Sequence, residues 1–416
     1  MKGCKIIVNI YYFFPTLRNI KLWKTIALQA KQDGFTHFAI NPICSTSHGS
    51  GSLYAITDFF QYCDRVFPGM SKAEIDIFLK DFCDYCSSIY LNVMMDIILN
   101  HVSDRSPLIE SDPHWFEFEN GEAKKAFYYT GTHGESVTEN FGDIVRVNHE
   151  ANLSETILYF YEYVKHYLDL GFKSLRVDMA CYLNQEFMSA IISKAKAEYP
   201  DVQFLGESIW DVPLYYYRKM REAGFDYAYN AIYWWNCTDE TAIDRLNEIS
   251  KVIPTVSIPE SHDTSRLINF VGGDRIKFLN RLWITALMTS GFLMSSGCEY
   301  FNNNDINVFY TSEKHWQENE PNCRAEIRRL LSLVEKHSPL NQECQIDISQ
   351  NTPDYILLKK TYRNETVKIL INKTSEMIIA NSLAMLPNEI MVIAQSEIHS
   401  SYPNNGKNVE VFKKSS

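Results

Sequence analysis

Four carboxylates stand at or just past short apolar runs. Asp96 lies inside the run 93–99, Asp178 closes 174–177, Glu207 closes 204–206, and Asp263 follows 258–262. An acid in such a place commonly caps a helix or forms a turn. Four of them on successive units, with His101 and His262 close by, ask for a chemical explanation. Carboxylates gathered at strand ends are the groups that nucleophilic and general acid–base chemistry use. Arg176 precedes Asp178 by two residues, which on a strand puts both side chains on one face. The guanidinium would keep that carboxylate ionised and oriented.

The surrounding pattern supplies the scaffold. Apolar runs at 6–10, 35–40, 91–99, 172–177, 203–205, 225–229, 255–258 and 292–295 read as strands. Stretches with helical spacing of apolar residues lie between them, at 17–33, 72–87, 155–170, 185–198, 214–223, 240–251, 275–289 and 324–335. Runs apolar at every position imply strands buried on both faces. Eight strand–helix units in alternation imply parallel strands, right-handed crossovers and a closed (β/α)8 TIM barrel, with catalytic groups at the carboxyl ends of its strands.

Two regions break the rhythm. Residues 102–152 show no clear period and are rich in Gly, His, Asp and aromatics, so they read as an irregular functional insertion after the third strand. Residues 340–416 alternate in hydrophobicity between Asn-rich turns and predict a small antiparallel β domain. The barrel is then assigned to 1–101 and 153–337.

Bulk properties narrow the partners. The 40 basic and 51 acidic residues give a net charge of −11, which repels phosphate backbones and anionic lipid, so neither nucleic acid nor a membrane is expected as partner. No apolar stretch is long enough to span a bilayer. The apolar run at the N-terminus has no small-residue cleavage site behind it and reads as a strand rather than a signal peptide. The 10 Cys are scattered, and Cys83-x-x-Cys86 lies in a helical pattern without a second pair at zinc spacing. Reduced thiols in a cytoplasmic protein are the expectation. Oligomeric state leaves no mark in these motifs.

Taken together, Asp96-x-x-x-Asn100-His101, Arg176-x-Asp178, Gly206-Glu207 and His262-Asp263 resemble, in order and spacing, the four short motifs of the alpha-amylase family, glycoside hydrolase family thirteen. The segment from Ser52 to Phe59, with Tyr54 and Asp58, is similar to the one that supplies the family's sugar-stacking tyrosine. The resemblance runs from about residue 6 to 300. It implies a retaining α-glycoside hydrolase or transglycosylase acting on α-glucans or short α-glucosides. Asp178 would be the nucleophile, Glu207 the general acid and base, and Asp263 the holder of sugar hydroxyls. Such enzymes set two carboxyls about 5–5.5 Å apart across the glycosidic bond. Negative neighbours Asp178 and Asp263 would raise the Glu207 pKa. Tyr54, Asp58, Asp96, His101, Arg176, His262 and Arg266 would bind substrate, with His101 and His262 donating hydrogen bonds. The implied partner is an oligosaccharide or α-glucan. No cofactor is required; calcium, held by Asn100 and Asp143, is an optional ligand.

Departures from the family pattern fall on the acceptor side. Met179-Ala180-Cys181-Tyr182 follows the nucleophile where Lys-His is common, and Ser261 stands where Asn is common. The stretch from Glu260 to Arg266 is similar to that of maltosyltransferases acting on maltose 1-phosphate. Transfer from a sugar phosphate, and a non-catalytic carbohydrate-binding protein, are the alternative readings. The absent cationic pair predicts atypical leaving-group recognition, with weak activity on long starch chains and better activity on short or activated glucosides. His114, Trp115, Phe116, Tyr128 and Tyr129 are expected to narrow the cleft, with Trp234 and Trp235 as a second aromatic wall. His48-Gly49-Ser50 reads as a rim loop.

Overall fold

The computed structural model describes residues 7–47, 51–130, 137–208, 211–394 and 397–403, without the side chains of 127–130 and 137–141. The expectations for His48-Gly49-Ser50 and for the Tyr128 and Tyr129 rings fall outside this set.

Eight parallel strands close into a barrel in sequence order: β1 (Val8–Phe13), β2 (His37–Ile40), β3 (Asn92–Ile97), β4 (Ser174–Val177), β5 (Gln203–Gly206), β6 (Tyr227–Tyr229), β7 (Thr255–Ser257) and β8 (Gly291–Ser295). One long helix follows each: α1 (Trp23–Gln32), α2 (Lys72–Ser88), α3 (Leu153–Asp169), α4 (Gln185–Glu198), α5 (Leu214–Ala223), α6 (Glu240–Ser250), α7 (Arg275–Met288) and α8 (Arg324–Lys336). The first strand runs three residues past its expected end, because Tyr11 to Phe13 continue to pair with Phe38 to Ile40 on β2.

Strand alternation divides the core in two. One set of positions, including Ile10, Ala39, Met94, Leu205, Tyr227 and Val256, fills the barrel interior. The other, including Phe38, Met95, Leu175, Val177 and Phe204, packs outward against the helices. Counting by twos from the interior set puts Tyr12, Asn41, Asp96, Arg176, Glu207 and Tyr229 on the inward parity, at the carboxyl ends of the strands. Gly206 sits on the outward parity, where an added Cβ would lie 2.7 Å from Met220 Sδ and 3.2 Å from the Phe225 ring. The glycine before Glu207 therefore lets α5 approach β5.

The insertion after β3 is more ordered than its sequence suggests. A three-stranded antiparallel sheet is built from His101–Ser103, Val137–Arg146 and Lys125–Thr130, with Val137–Arg146 in the middle. The loop after β2 likewise forms a hairpin of Cys44–Thr46 with Ile56–Tyr62.

The C-terminal region is a five-stranded antiparallel sheet of β9 (Ile346–Asn351), β10 (Tyr355–Tyr362), β11 (Glu365–Asn372), β12 (Ile390–Ala394) and β13 (Glu397–Ser400). It docks on the barrel through Lys360, whose buried ammonium donates to the Leu287 carbonyl at 3.0 Å and also to that of Met288. Those carbonyls end α7, where a cation complements the helix dipole. The nine described cysteines are free thiols, and Cys83 and Cys86 are buried on α2. No helix among the described residues is long and apolar enough to cross a membrane.

Candidate active site

Arg176, 1% exposed, organises the carboxyl end of the barrel. It and Asp96 are register partners on β4 and β3, and its Nη1 donates to both Asp96 oxygens, at 2.8 and 3.0 Å. The same Nη1 donates to Asp178 Oδ1 at 2.8 Å, while Nη2 donates to Glu207 Oε1. One guanidinium thus holds three carboxylates, and Asp178 and Glu207 are near neighbours on its two terminal nitrogens. The other Glu207 oxygen accepts from Met179 N at 2.7 Å. Met179 adopts a left-handed backbone with φ of 45°, which a non-glycine residue takes at a cost of about 1–3 kcal/mol. That turn aims the amide at Glu207.

A second polar layer closes over Asp96. Tyr12 and Tyr54 both donate their hydroxyls to Asp96 Oδ2, the latter at 2.7 Å. Asn41 donates to the two hydroxyls in turn, at 2.9 and 2.6 Å. The Tyr54 ring stacks on His262. His101 Nε2 bonds the Tyr54 carbonyl at 3.0 Å. A carbonyl only accepts, so the His101 proton is committed there, and burial pushes this imidazole down to about 4, keeping it neutral. His101, expected to donate to substrate, instead fixes the backbone of Tyr54. His262 is also lowered, chiefly by burial, and its Nε2 lies 3.2 Å from Asp263 Oδ2.

The electrostatics follow from four acids around one base. Burial pushes Asp178 up to about 7, opposed by Arg176 and assisted by Asp96 and Asp263. Glu207 is raised well above the usual carboxylate range, again first by burial, with Arg176 opposing and Asp178 and Asp263 adding. The negative neighbours expected to supply the shift are secondary to desolvation. Asp263, whose side chain is 40% exposed, is the solvated member of the group.

Above these groups opens a cavity of about 340 Å³. Its lining includes Tyr54, His101, Asp178, Glu207, His262 and Asp263. Asp143 and Ile144 from the insertion, Met179 and Tyr182 after β4, and Val308 and Phe309 after β8 form its walls. Arg65 braces the rim, donating to Gly51 O at 2.7 Å and to the Phe309 carbonyl.

Several expected contacts lie elsewhere. Asp58 turns onto its own hairpin and accepts from Phe60 N at 2.8 Å. Arg266 is buried away from the cavity; it grips Ser296 O and Asn302 O at 3.1 Å and pairs with Glu260 at 3.2 Å. Trp115, Phe116 and Trp235 belong to the core, His114 pairs with Glu155 on the surface, and Trp234, 42% exposed, is not part of the cavity lining. Asn100 and Asp143 do not make a shared calcium site. Asn100 pairs through its backbone with Val147 and Asp143 with Asp104, at opposite ends of the pairing between His101–Ser103 and the insertion. Four register steps separate the two residues, about 13 Å along the strand and beyond the reach of one ion. Both amide atoms of Asn100 are buried without partners, as is Asp143 Oδ2.

Tyr12, Asn41 and Phe309 are additions to the sequence reading. Asn41 follows an apolar run just as the four acids do, and a search for any polar residue there finds it. Phe309 stands on a loop without periodicity.

No family model matches the chain. A cyclic alpha-maltosyl-(1→6)-maltose hydrolase from Arthrobacter globiformis is similar in structure, with a TM-score of 0.72 at 14% identity, covering 94% of this chain and 98% of that one. An alpha-amylase from Geobacillus thermoleovorans complexed with acarbose gives 0.71 at 16% identity, covering 94% and 97%. The fold is that of the alpha-amylases. In sequence, a curated alpha-1,4-glucan:maltose-1-phosphate maltosyltransferase from Rhodospirillum rubrum is 24% identical over 254 residues, 59% of this chain. The chain spans 35% of the length of that relative. In this chain Asp178, Glu207 and Asp263, from the carboxyl ends of β4, β5 and β7, line one cavity, and Asp96 from β3 is buried on Arg176.

Proposed function

We propose that this chain is a retaining α-glycoside hydrolase or transglycosylase of the alpha-amylase family, acting on α-glucans or short α-glucosides. The observation that carries the reading is the single guanidinium holding Asp178 and Glu207 on its two nitrogens beneath an open cavity. Asp178 attacks the anomeric carbon and forms a β-glycosyl ester as the aglycone oxygen leaves. Glu207, protonated through its raised pKa, delivers that proton to the leaving oxygen. Glu207 then takes a proton from water or a sugar hydroxyl, which attacks the ester and releases Asp178. Arg176 and Asp96 keep the nucleophile in place, and Asp263 binds ring hydroxyls. Tyr54 offers its ring to the sugar face. The cavity volume lies at the small end for ligand pockets, which favours short ligands.

One observation favours a second reading, transfer from a glycosyl phosphate. A neighbouring cavity of about 310 Å³ shares Tyr182 with the first and is lined by Lys124, Lys125 and Arg146, together with Glu117 and Glu150. The insertion thus brings Arg146 to the side where the loop after β4 has no cation, with Lys124 and Lys125 paired to Glu117 and Asp104, and an anionic leaving group would gain from Arg146. The free thiols support a reducing cytoplasm as the setting.

Product analysis with maltotriose, with and without inorganic phosphate, tests the function. Without phosphate, shorter maltooligosaccharides alone are expected from hydrolysis and shorter and longer ones from transfer; a glycosyl phosphate is expected with phosphate under the second reading. Unchanged maltotriose in both, with binding retained, would point to the non-catalytic carbohydrate-binding alternative.

A further inference from the structure

Far from the barrel mouth, α8 hands over to the C-terminal sheet through Lys336 and His337. His337 is 4% exposed. Its Nδ1 bonds Glu365 Oε1 at 2.7 Å, and Ser338 N donates to the other Glu365 oxygen at 3.0 Å. A carboxylate accepts, so Nδ1 carries the proton and Nε2 presents a lone pair. That Nε2 is buried without a hydrogen-bond partner. Leaving such an atom idle costs about 1–3 kcal/mol.

Strand β13 brings Glu397 and His399 to the same place. One ligand atom from each of His337, Glu397 and His399 falls within 4.8 Å of the others, the one such group among the described residues. Glu397 Oε2 accepts from Lys336 at 2.6 Å and from His399 Nε2 at 3.2 Å. An ordinary ion-pair network accounts for those two contacts and leaves the buried Nε2 of His337 unexplained.

We propose that His337, Glu397 and His399 form a binding site for a divalent transition-metal ion, with zinc as its closest chemical match. Two imidazoles and one carboxylate are a nitrogen–oxygen donor set that zinc takes, with a fourth position left for water. Glu365 behind His337 is the carboxylate partner that metal-binding imidazoles usually have, fixing the tautomer with its lone pair on Nε2. Ligand atoms must draw in to about 2.0–2.2 Å from the ion. The Glu397 and Lys336 side chains are 51% and 53% exposed, so their pair gives way at little cost. The bound ion would clip the end of the last barrel helix to the last strand of the C-terminal sheet. This site is independent of the catalytic reading.

The test uses the full chain, stripped with a chelator and kept reduced, titrated with zinc against a chromophoric competitor. One ion per chain and a higher Tm are expected. His399→Gln and Glu397→Gln, both at the half-exposed edge, should each weaken binding about 100-fold or more, and Glu365→Gln about 10–100-fold. Lys336→Met frees Glu397 and should bind at least as tightly as the parent chain. Cobalt should give the visible bands of a four-coordinate ion in the parent chain and lose them in His399→Gln. Equal zinc affinity in the parent and His399→Gln, no binding by the parent, or weaker binding by Lys336→Met would overturn the proposal.

Discussion

Tyr54 lies flat against His262, with ring centroids 4.6 Å apart and planes 14° from parallel. Its hydroxyl is anchored on Asp96 and its carbonyl on His101, so the ring is held from three sides. Tyr54→Phe keeps the stack and loses the hydroxyl's bonds to the Asp96 carboxylate, Asn41 and Tyr12, of which the one to the charged carboxylate is the strongest. A bond to a charged group is worth about 1.5–3 kcal/mol, so kcat/KM should fall about 10–100-fold. Tyr54→Ala should fall further, with a higher KM, because the ring goes too. Steady-state kinetics on a short α-glucoside decide this, and identical losses in both variants would remove the stacking role.

The acid side of the pH–rate profile is set by Asp178. Its carboxyl is held up to about 7 by burial and must be ionised to attack. As pH falls through that value the nucleophile is protonated, so kcat/KM should drop below about pH 7. Glu207 must be protonated, and its raised pKa moves the basic limb upward. A bell-shaped profile follows. An acid limb lying near pH 4 would show that Arg176 outweighs burial at Asp178.

Asp178→Asn should separate function from stability. The chemical step should slow about 10³-fold or more while sugar binding persists. A carboxyl raised in the folded state binds its proton more tightly there than in the unfolded chain. Its contribution to stability is full below about pH 4 and is lost as pH rises through about 7. The substitution removes that loss, so Tm should rise by a few degrees at pH 8 and hardly change at pH 4. Melting curves at the two pH values check the sign.

Arg266 should behave as a structural residue. Arg266→Met leaves Glu260 buried without its counter-charge, which costs about 3–5 kcal/mol. Denaturant unfolding should show that loss, while kcat/KM of the folded fraction changes less than about tenfold. A large KM effect without destabilisation would restore the substrate contact that its sequence position suggested.

The legible part of this molecule was periodic. Buried parallel strands are apolar throughout, so a polar residue at a strand end stands out, as Asp96, Asp178 and Glu207 do. Asp58 departs from its expected place for a physical reason. It sits on a hairpin whose register shifts between Cys44 and Ser45 and again between Ser45 and Thr46, and each shift changes which face a residue meets. The sheet in the insertion was hidden similarly, since the strand Val137–Arg146 carries an irregularity between Phe141 and Val145. Trp234 and Trp235 are adjacent on a short turn, where spacing says nothing about which ring faces the core. Arg266 carried a motif position but no information on the loop after β8 that it grips.

The central claim is a glycosyl-enzyme on Asp178 with Glu207 as acid and base. Proton NMR of the first product formed from an aryl α-maltoside, recorded before mutarotation, tests it most directly. Double displacement predicts that the α-anomer appears first and the β-anomer grows in only by mutarotation. A β-anomer appearing first would mean single displacement by water and would contradict the account.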